Sequence, residues 1–455
     1  MFWGVDESNV DRLSSVYFYM CLFFIFPALY MVQRAGLQRS LYFASALNFV
    51  GALIRYVMVH DYTWVYIGTL CCATSSAFSM SLPPFLSAEW FGNSERATAT
   101  TIGVLADQLG IAAGLGATVF FNVTDESIVK YTLVQCILSG VAMLMMFVFV
   151  TKDCPRTPPS AAAAAKREAA LLRLQGLLQC SGNVANCASI SDFNLDSIVD
   201  MMDLDALDSY EDYQDFGKYE EMQGTNEQTP PSEGVSAESE TRLLEAYKET
   251  IVSLLSDKSV VLFAIVYGLC GGVFDAICTF LSQYLPYDPT ECGYIGILFV
   301  MIGFIGSFLV AFVMDTFSSR YWMATFCTAL GCAASMIFLW LVVWLAVDSR
   351  LLLYSAISLN GIFLSALISA GFEYGAAITY PSDENIVSGV LNCFSHVIAL
   401  ILVESKEAVA PGKDFLNTML CLAFCLLLPA SYFILVSKVN QNVHLKRGTW
   451  KRNFS

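Results

Sequence analysis

Stretches of about 20 apolar residues, broken by short polar turns, recur along nearly the whole chain, and that pattern restricts its folds more than any other feature. Eleven such runs occupy 13–33, 40–59, 64–87, 97–121, 131–151, 259–283, 293–314, 321–346, 351–373, 386–403 and 415–437. Each is long enough to cross a bilayer core as a helix. Backbone groups in hydrocarbon must find partners inside their own segment, so the runs are expected to be helical. The alternating ten-residue segments of a membrane barrel do not occur. Composition agrees: 56% of the residues are apolar and only 14% charged, against roughly 25% charged in soluble domains. The expected fold class is an all-α membrane protein.

The net charge of −16 is local rather than general. Residues 190–250 hold seventeen Asp or Glu against three Lys or Arg, and the remainder is close to neutral. No clustered basic surface is present, so nucleic acid is excluded as a partner. Most of the fifteen cysteines lie inside apolar runs, among them Cys71, Cys72, Cys270, Cys278, Cys327, Cys332, Cys421 and Cys425. There they are read as small hydrophobes. No CxxC pair exists and His60, His396 and His444 are far apart, so zinc-type spacing is missing and no metal site is expected. No catalytic triad, phosphate loop or cofactor motif is found, which predicts neither an enzyme nor a bound cofactor.

Loop charges set the orientation. If the 34–39 turn is cytoplasmic and the runs alternate, eighteen of the 24 Lys and Arg fall on that side, including Arg34, Arg39, Arg96, Arg320 and the tail 438–455. This follows the positive-inside bias. Asn122-Val-Thr124 then sits in an outward loop, where a glycosylation sequon is usable. Residues 152–258 interrupt the apolar pattern and are expected to form a cytoplasmic linker. It opens on Pro155, Pro158 and Pro159, passes through an Ala/Leu-rich amphipathic stretch at 161–179, and becomes acidic and poor in core-forming residues over 190–235. That composition predicts disorder, followed by a short helix over 238–256.

Five runs precede the linker and six follow it. This divides the chain into an N-terminal half-bundle (1–151, read as helices 2–6), the linker (152–258), a C-terminal half-bundle (259–437, helices 7–12) and a basic tail (438–455). Arg34, Gly36 and Arg39 in one half correspond to Asp315 and Arg320 in the other. Such charged turns resemble the signature loop of the major facilitator superfamily, with Gln33 standing where an Asp is expected. Longer stretches are similar to the feline leukemia virus subgroup C receptor family of transporters. They are Asp11-Arg12-Leu13-Ser14 with Ile25-Phe26-Pro27-Ala28, and Trp90-Phe91-Gly92 with Glu95-Arg96-Ala97-Thr98-Ala99-Thr100. Gln108-Leu109-Gly110, Gly371-Phe372-Glu373-Tyr374 with Thr379-Tyr380-Pro381, and Ser388-Gly389-Val390-Leu391-Asn392 complete them. The resemblance implies a two-half bundle of twelve helices, of which about eleven are present here; the first is expected to lie upstream of Met1.

By the same resemblance the substrate pocket uses a Trp on helix one, a position not in this chain, a Gln on helix five, a Tyr on helix seven and a Gln on helix eleven. Gln108 matches the first, Asp275 stands at the second and His396 at the third. The residues point the same way unaided. At ~1.5 Å per residue, Gln108 and His396 lie about 16–18 Å from their helix ends, near the midplane. An ionised carboxylate within a span costs roughly 2.5–3.5 kcal/mol on insertion scales, so Asp275 is expected to face a cavity or a partner. Asp107 and Glu373 are candidate helix contacts or gates, and Tyr267 and Phe274 offer ring faces for a cation. Gly268 with Gly272, and Gly110 with Gly114, fit close helix packing.

The expected function is alternating-access transport of a small organic solute, a choline- or ethanolamine-like cation foremost, by a uniporter or a proton-coupled carrier. A haem or porphyrin exporter and a transport-inactive receptor are the alternatives. The protein is expected to work as a monomer in the plasma membrane, with an endolysosomal membrane as the alternative.

Overall fold

The structure, a computed structural model, describes residues 7–92, 95–121, 125–152, 234–284, 287–316, 321–345, 349–379 and 382–409, with residues 3, 4, 155, 157 and 159. Among these every regular element is a helix. The first set is α1 (Glu7–Val57), α2 (Tyr62–Ser79), α3 (Leu82–Trp90), α4 (Arg96–Leu115), the short α5 (Ala117–Phe120) and α6 (Asp125–Phe149). The second is α7 (Gly234–Ser256), α8 (Lys258–Tyr284), α9 (Pro289–Thr316), α10 (Tyr321–Trp344), α11 (Arg350–Thr379) and α12 (Glu384–Val409). Eight helical stretches are long and apolar enough to cross a membrane. The first of them contains two of the apolar runs, and α4 adds a further buried helix of lower hydropathy. The run at 415–437, the tail, Asn122, Arg320 and the acidic 190–233 stretch lie outside the described residues.

Two local breaks shape the first set. In α1 the helical path reverses at Gly36, with φ 83° and ψ 165°, a conformation that costs little only without a Cβ. Ser40 Oγ donates to the Gly36 carbonyl at 2.8 Å and steadies the turn. Arg34 and Arg39 flank it on the exposed side. The second break separates α2 from α3 at Met80-Ser81. Pro83 and Pro84 have no N–H, so the carbonyls of Ser79 and Met80 lose the donors that a continuous helix would give them. In a membrane such carbonyls must be met by other groups. Asn392 Nδ2 donates to the Met80 carbonyl at 3.1 Å, and Ser388 Oγ to that of Ser81 at 2.9 Å. The freed backbone thereby ties this break to α12.

The two sets meet where α4 lies along α9 and α11, and where α1 and α3 lie along α12. Within the second set, α8 packs on α12 through glycines. A Cβ on Gly268 would fall 2.8 Å from the Phe394 carbonyl carbon, and one on Gly272 2.8 Å from the Ala399 nitrogen. These positions admit no side chain because the backbones nearly touch. Gly110 and Gly114 differ: among the described residues nothing lies within 4 Å of a Cβ there, so no described helix packs against that pair. The core is built around Phe299, Ile295, Leu364, Leu367 and Leu391. Phe23, Phe149, Ile305 and Phe312 are exposed on the outside, as lipid-facing side chains would be. The linker helix α7 docks against α1: Tyr247 is buried, its hydroxyl donates to the Phe26 carbonyl at 2.9 Å, and its ring lies 5.7 Å from that of Tyr30.

Candidate functional site

Polar side chains gather at two levels of the bundle. The deeper level is central. The contact between α8 and α12 brings Asp275 and His396 together, with Asp275 Oδ2 3.6 Å from His396 Nδ1. His396 is almost wholly enclosed, at 5% exposure, whereas Asp275 retains 22%. The carboxylate is therefore the more open member of the pair. Asp107, from α4, is itself accessible and within electrostatic reach of both Asp275 and His396. Two carboxylates and one imidazole from three helices thus share one electrostatic environment in the middle of the fold. The sequence marks Asp107 as a helix contact or gate; its nearness to Asp275 and His396 emerges only from the tertiary structure.

Gln108 is one residue further along α4, so its side chain leaves the helix about 100° from that of Asp107. It is buried, and its Oε1 has no hydrogen-bond partner. A buried amide oxygen without a donor is costly and suits a position that meets a donor from a ligand. Tyr267 and Phe274 are both buried on α8. Tyr267 lies 5.3 Å from the Phe372 ring, and Phe274 stacks on Phe299 at 5.3 Å.

The second level lies at the end of the bundle where the linker joins it. Asp315, at the close of α9, accepts hydrogen bonds from Ala97 N at 3.1 Å, Thr98 N at 3.0 Å and Thr98 Oγ1 at 2.6 Å. The first N–H groups of a helix have no partner inside it and carry partial positive charge. Helix α4 has no acidic residue in its own first turn, so Asp315 caps it from the other set of helices. Arg96, beside this cap, reaches Glu384 at 3.0 Å and Glu373 at 3.6 Å. Glu373 also accepts from Thr100 Oγ1 at 2.6 Å, and Thr100 Oγ1 contacts Ser87 Oγ at 2.7 Å. Helices α3, α4, α9, α11 and α12 are sewn together here. Of these residues the sequence reading had singled out Asp315 and Glu373. Arg96 and Thr100 stand in the sequence as a loop charge and as members of a family-like motif, without partners, and Glu384 does not stand out because nothing local distinguishes it from an ordinary helix-end acid.

Among the described residues no three His, Cys, Asp or Glu side chains converge as a metal-ligand group. The central level offers negative charge, one imidazole and an amide to a ligand of modest size. The linker-end level offers a set of contacts that must break if the two sets of helices are to part there.

Comparison with known proteins agrees with this architecture. Residues 3–403 match the profile of the Major Facilitator Superfamily. An uncharacterized MFS-type transporter of Caenorhabditis elegans is 26% identical over 438 residues, 93% of this chain and 62% of that protein. The choline/ethanolamine transporter flvcr2b of Danio rerio is 25% identical over 443 residues, covering 94% of this chain and 75% of that one. The chain thus spans less than two thirds of the worm protein and three quarters of the fish protein. The proton:xylose symporter XylE, in a structure with 6-bromo-6-deoxy-D-glucose bound, superposes with a TM-score of 0.62 at 10% identity, over 95% of this chain and 87% of that one. At that identity the likeness is one of fold.

Proposed function

Since the chain belongs to the Major Facilitator Superfamily, we propose that it carries a small organic cation of the choline or ethanolamine kind, by alternating access around its central carboxylates. It is a multi-pass membrane transporter distantly related to choline/ethanolamine transporters, and not an enzyme. The observation that carries the cation reading is the accessible Asp275 beside His396, with Asp107 within electrostatic reach. A buried charge persists only when it is paired or solvated, and two accessible carboxylates within electrostatic reach of each other attract a cation and repel an anion. In this reading the pair selects charge, and Gln108 supplies a hydrogen-bond acceptor at Oε1. The helices before residue 152 and those after 258 rock against each other as two halves. The names of the relatives support the substrate class.

The orientation in this reading follows the loop charges, with the linker end cytoplasmic and the opposite end facing outward. We read the carrier as a monomer of the plasma membrane.

The test is an uptake and binding screen over choline, ethanolamine, pyridoxine and haemin in cells and in purified protein. A cationic substrate should be taken up, and Asp275→Asn should lose at least tenfold of that uptake at unchanged surface expression. Gln108→Ala should weaken binding by less. Normal transport by Asp275→Asn would remove the carboxylate from the mechanism.

A further inference from the structure

The imidazole of His396 has a second face. Its Nδ1 is turned to Asp275, and its Nε2 lies 3.0 Å from the thioether sulfur of Met80. Met80 Sδ is in turn 3.4 Å from the thiol of Cys21, which is 1% exposed and not part of a disulfide. Packing of methionine against an aromatic ring usually leaves the sulfur about 5 Å away. Here the sulfur meets a ring nitrogen, edge-on. The three atoms come from α1, from the break between α2 and α3, and from α12, so the fold and not chain proximity collects them. Met80 is fixed in place by the break, since Asn392 holds its carbonyl. Cys393, one turn before His396, lies within electrostatic reach of Cys21 and extends the sulfur-rich side.

We propose that Cys21, Met80 and His396 form a binding site for a soft monovalent metal ion, Cu(I) or its analogue Ag(I). The donor set decides the class of ion: a thiolate, a thioether and a neutral imidazole together favour soft monovalent copper over hard cations. The orientation of the ring fits as well, because a ligating histidine ordinarily presents its other nitrogen to a carboxylate, and Asp275 Oδ2 stands on that side at 3.6 Å, just beyond hydrogen-bond distance. Ligand bonds of about 2.0–2.3 Å, the range for nitrogen and sulfur on zinc, put trigonal donors roughly 3.5–4 Å apart. The present separations are somewhat shorter, so the donors must spread by about half an ångström, which the three rotatable bonds of Met80 allow. Binding exchanges one proton for one ion. The Cys21 S–H bond breaks, a sulfur–metal bond forms, the proton leaves by way of the accessible Asp275 side, and the metal keeps its oxidation state. Two donors belong to helices before the linker and one to a helix after it, so a bound ion cross-links the two sets and hinders their separation. This site does not depend on which solute the transporter carries.

The test uses the purified full chain in nanodiscs without oxygen, titrated with Cu(I) against bathocuproine disulfonate, and in parallel with Ag(I). One equivalent should resist the chelator and raise the thermal unfolding midpoint. X-ray absorption of that equivalent should show a mixed shell of sulfur and imidazole nitrogen. Met80→Leu and Cys21→Ser should each weaken retention at least tenfold, and His396→Gln should remove the nitrogen shell. An all-sulfur shell with unchanged retention in Met80→Leu would mean adventitious binding to other cysteines and would overturn the site. Should the variants fail to fold, the shell and the midpoint shift of the unaltered chain decide alone: no retained equivalent, or no nitrogen, refutes it. None of these readouts involves solute uptake, so they stand or fall apart from the transport assignment.

Discussion

Replacing Asp315 by Ala tests the linker-end contacts most directly. The carboxylate accepts three hydrogen bonds of 2.6 to 3.1 Å at the start of α4. Hydrogen bonds to a charged group contribute about 1.5–3 kcal/mol each in favourable cases, and an anion at a helix start adds about 0.3–1 kcal/mol. Asp315 is only partly buried, and water replaces some of what is lost, so a net effect of about 3 kcal/mol is reasonable, roughly a hundredfold in an equilibrium. All of it is exerted in the conformation where α4 and α9 meet at this end. The variant should therefore depopulate that conformation rather than unfold the protein. Spin labels at positions 92 and 323, measured in nanodiscs, should show a longer distance population growing in Asp315→Ala. Asp315→Asn, which keeps one acceptor oxygen, should fall between the two. An unchanged distance distribution in a folded Asp315→Ala would show that these bonds do not hold the end closed.

Two further outcomes follow from the packing. Gly272→Val should lower the thermal midpoint, at about 1–3 kcal/mol for overpacking, because a Cβ there already meets Ala399 and Ile398. The same change at Gly110, with nothing described within 4 Å, should cost far less, and an equal cost in the same melting assay would mean that this face of α4 is covered. Gln33→Asp should weaken the α1–α12 junction, since Gln33 Nε2 reaches Asp383 Oδ2 at 3.5 Å and two carboxylates would face each other. Adding Asp383→Asn should restore stability in a double-mutant cycle.

Much of this was visible in the sequence because lipid imposes a simple rule. Long apolar runs had to be helices, and ten of the eleven coincide with helices among the described residues. Asp275, Gln108 and His396 stood out because a polar side chain in an apolar run is expensive. That Asp275 touches His396 was not readable from either segment alone. It depends on α8 and α12 approaching to backbone contact at Gly268 and Gly272, which only the assembled fold specifies. Cys21 and Met80 were invisible for a different reason: in an apolar run sulfur side chains read as hydrophobes, and only their convergence on a ring nitrogen gives them chemistry. The break at Met80-Ser81 did have a signal, Pro83-Pro84 inside the run 64–87, whose missing N–H groups foretell freed carbonyls.

The charged turns show how a repeated plan becomes asymmetric. At the end of α9, Asp315 lends its carboxylate to α4, a helix whose first turn has no acid. At the corresponding place in α1 stands Gln33, and the helix it faces, α12, begins with acids of its own: Asp383, which accepts from Asn385 N at 2.8 Å, and Glu384. Each helix start thus receives a carboxylate, one from across the junction and one from its own first residues. An Asp at position 33 would add a charge where the need is already met, which gives a physical reason for the amide. The amide has a consequence for movement. The α4–α9 junction holds three charge-assisted bonds, whereas Gln33 joins α1 to Asp383 by one long contact and leaves its Oε1 buried without a donor. At this end the α1–α12 side therefore separates at lower cost, and opening should begin there, with the α4–α9 cap as the last contact to yield.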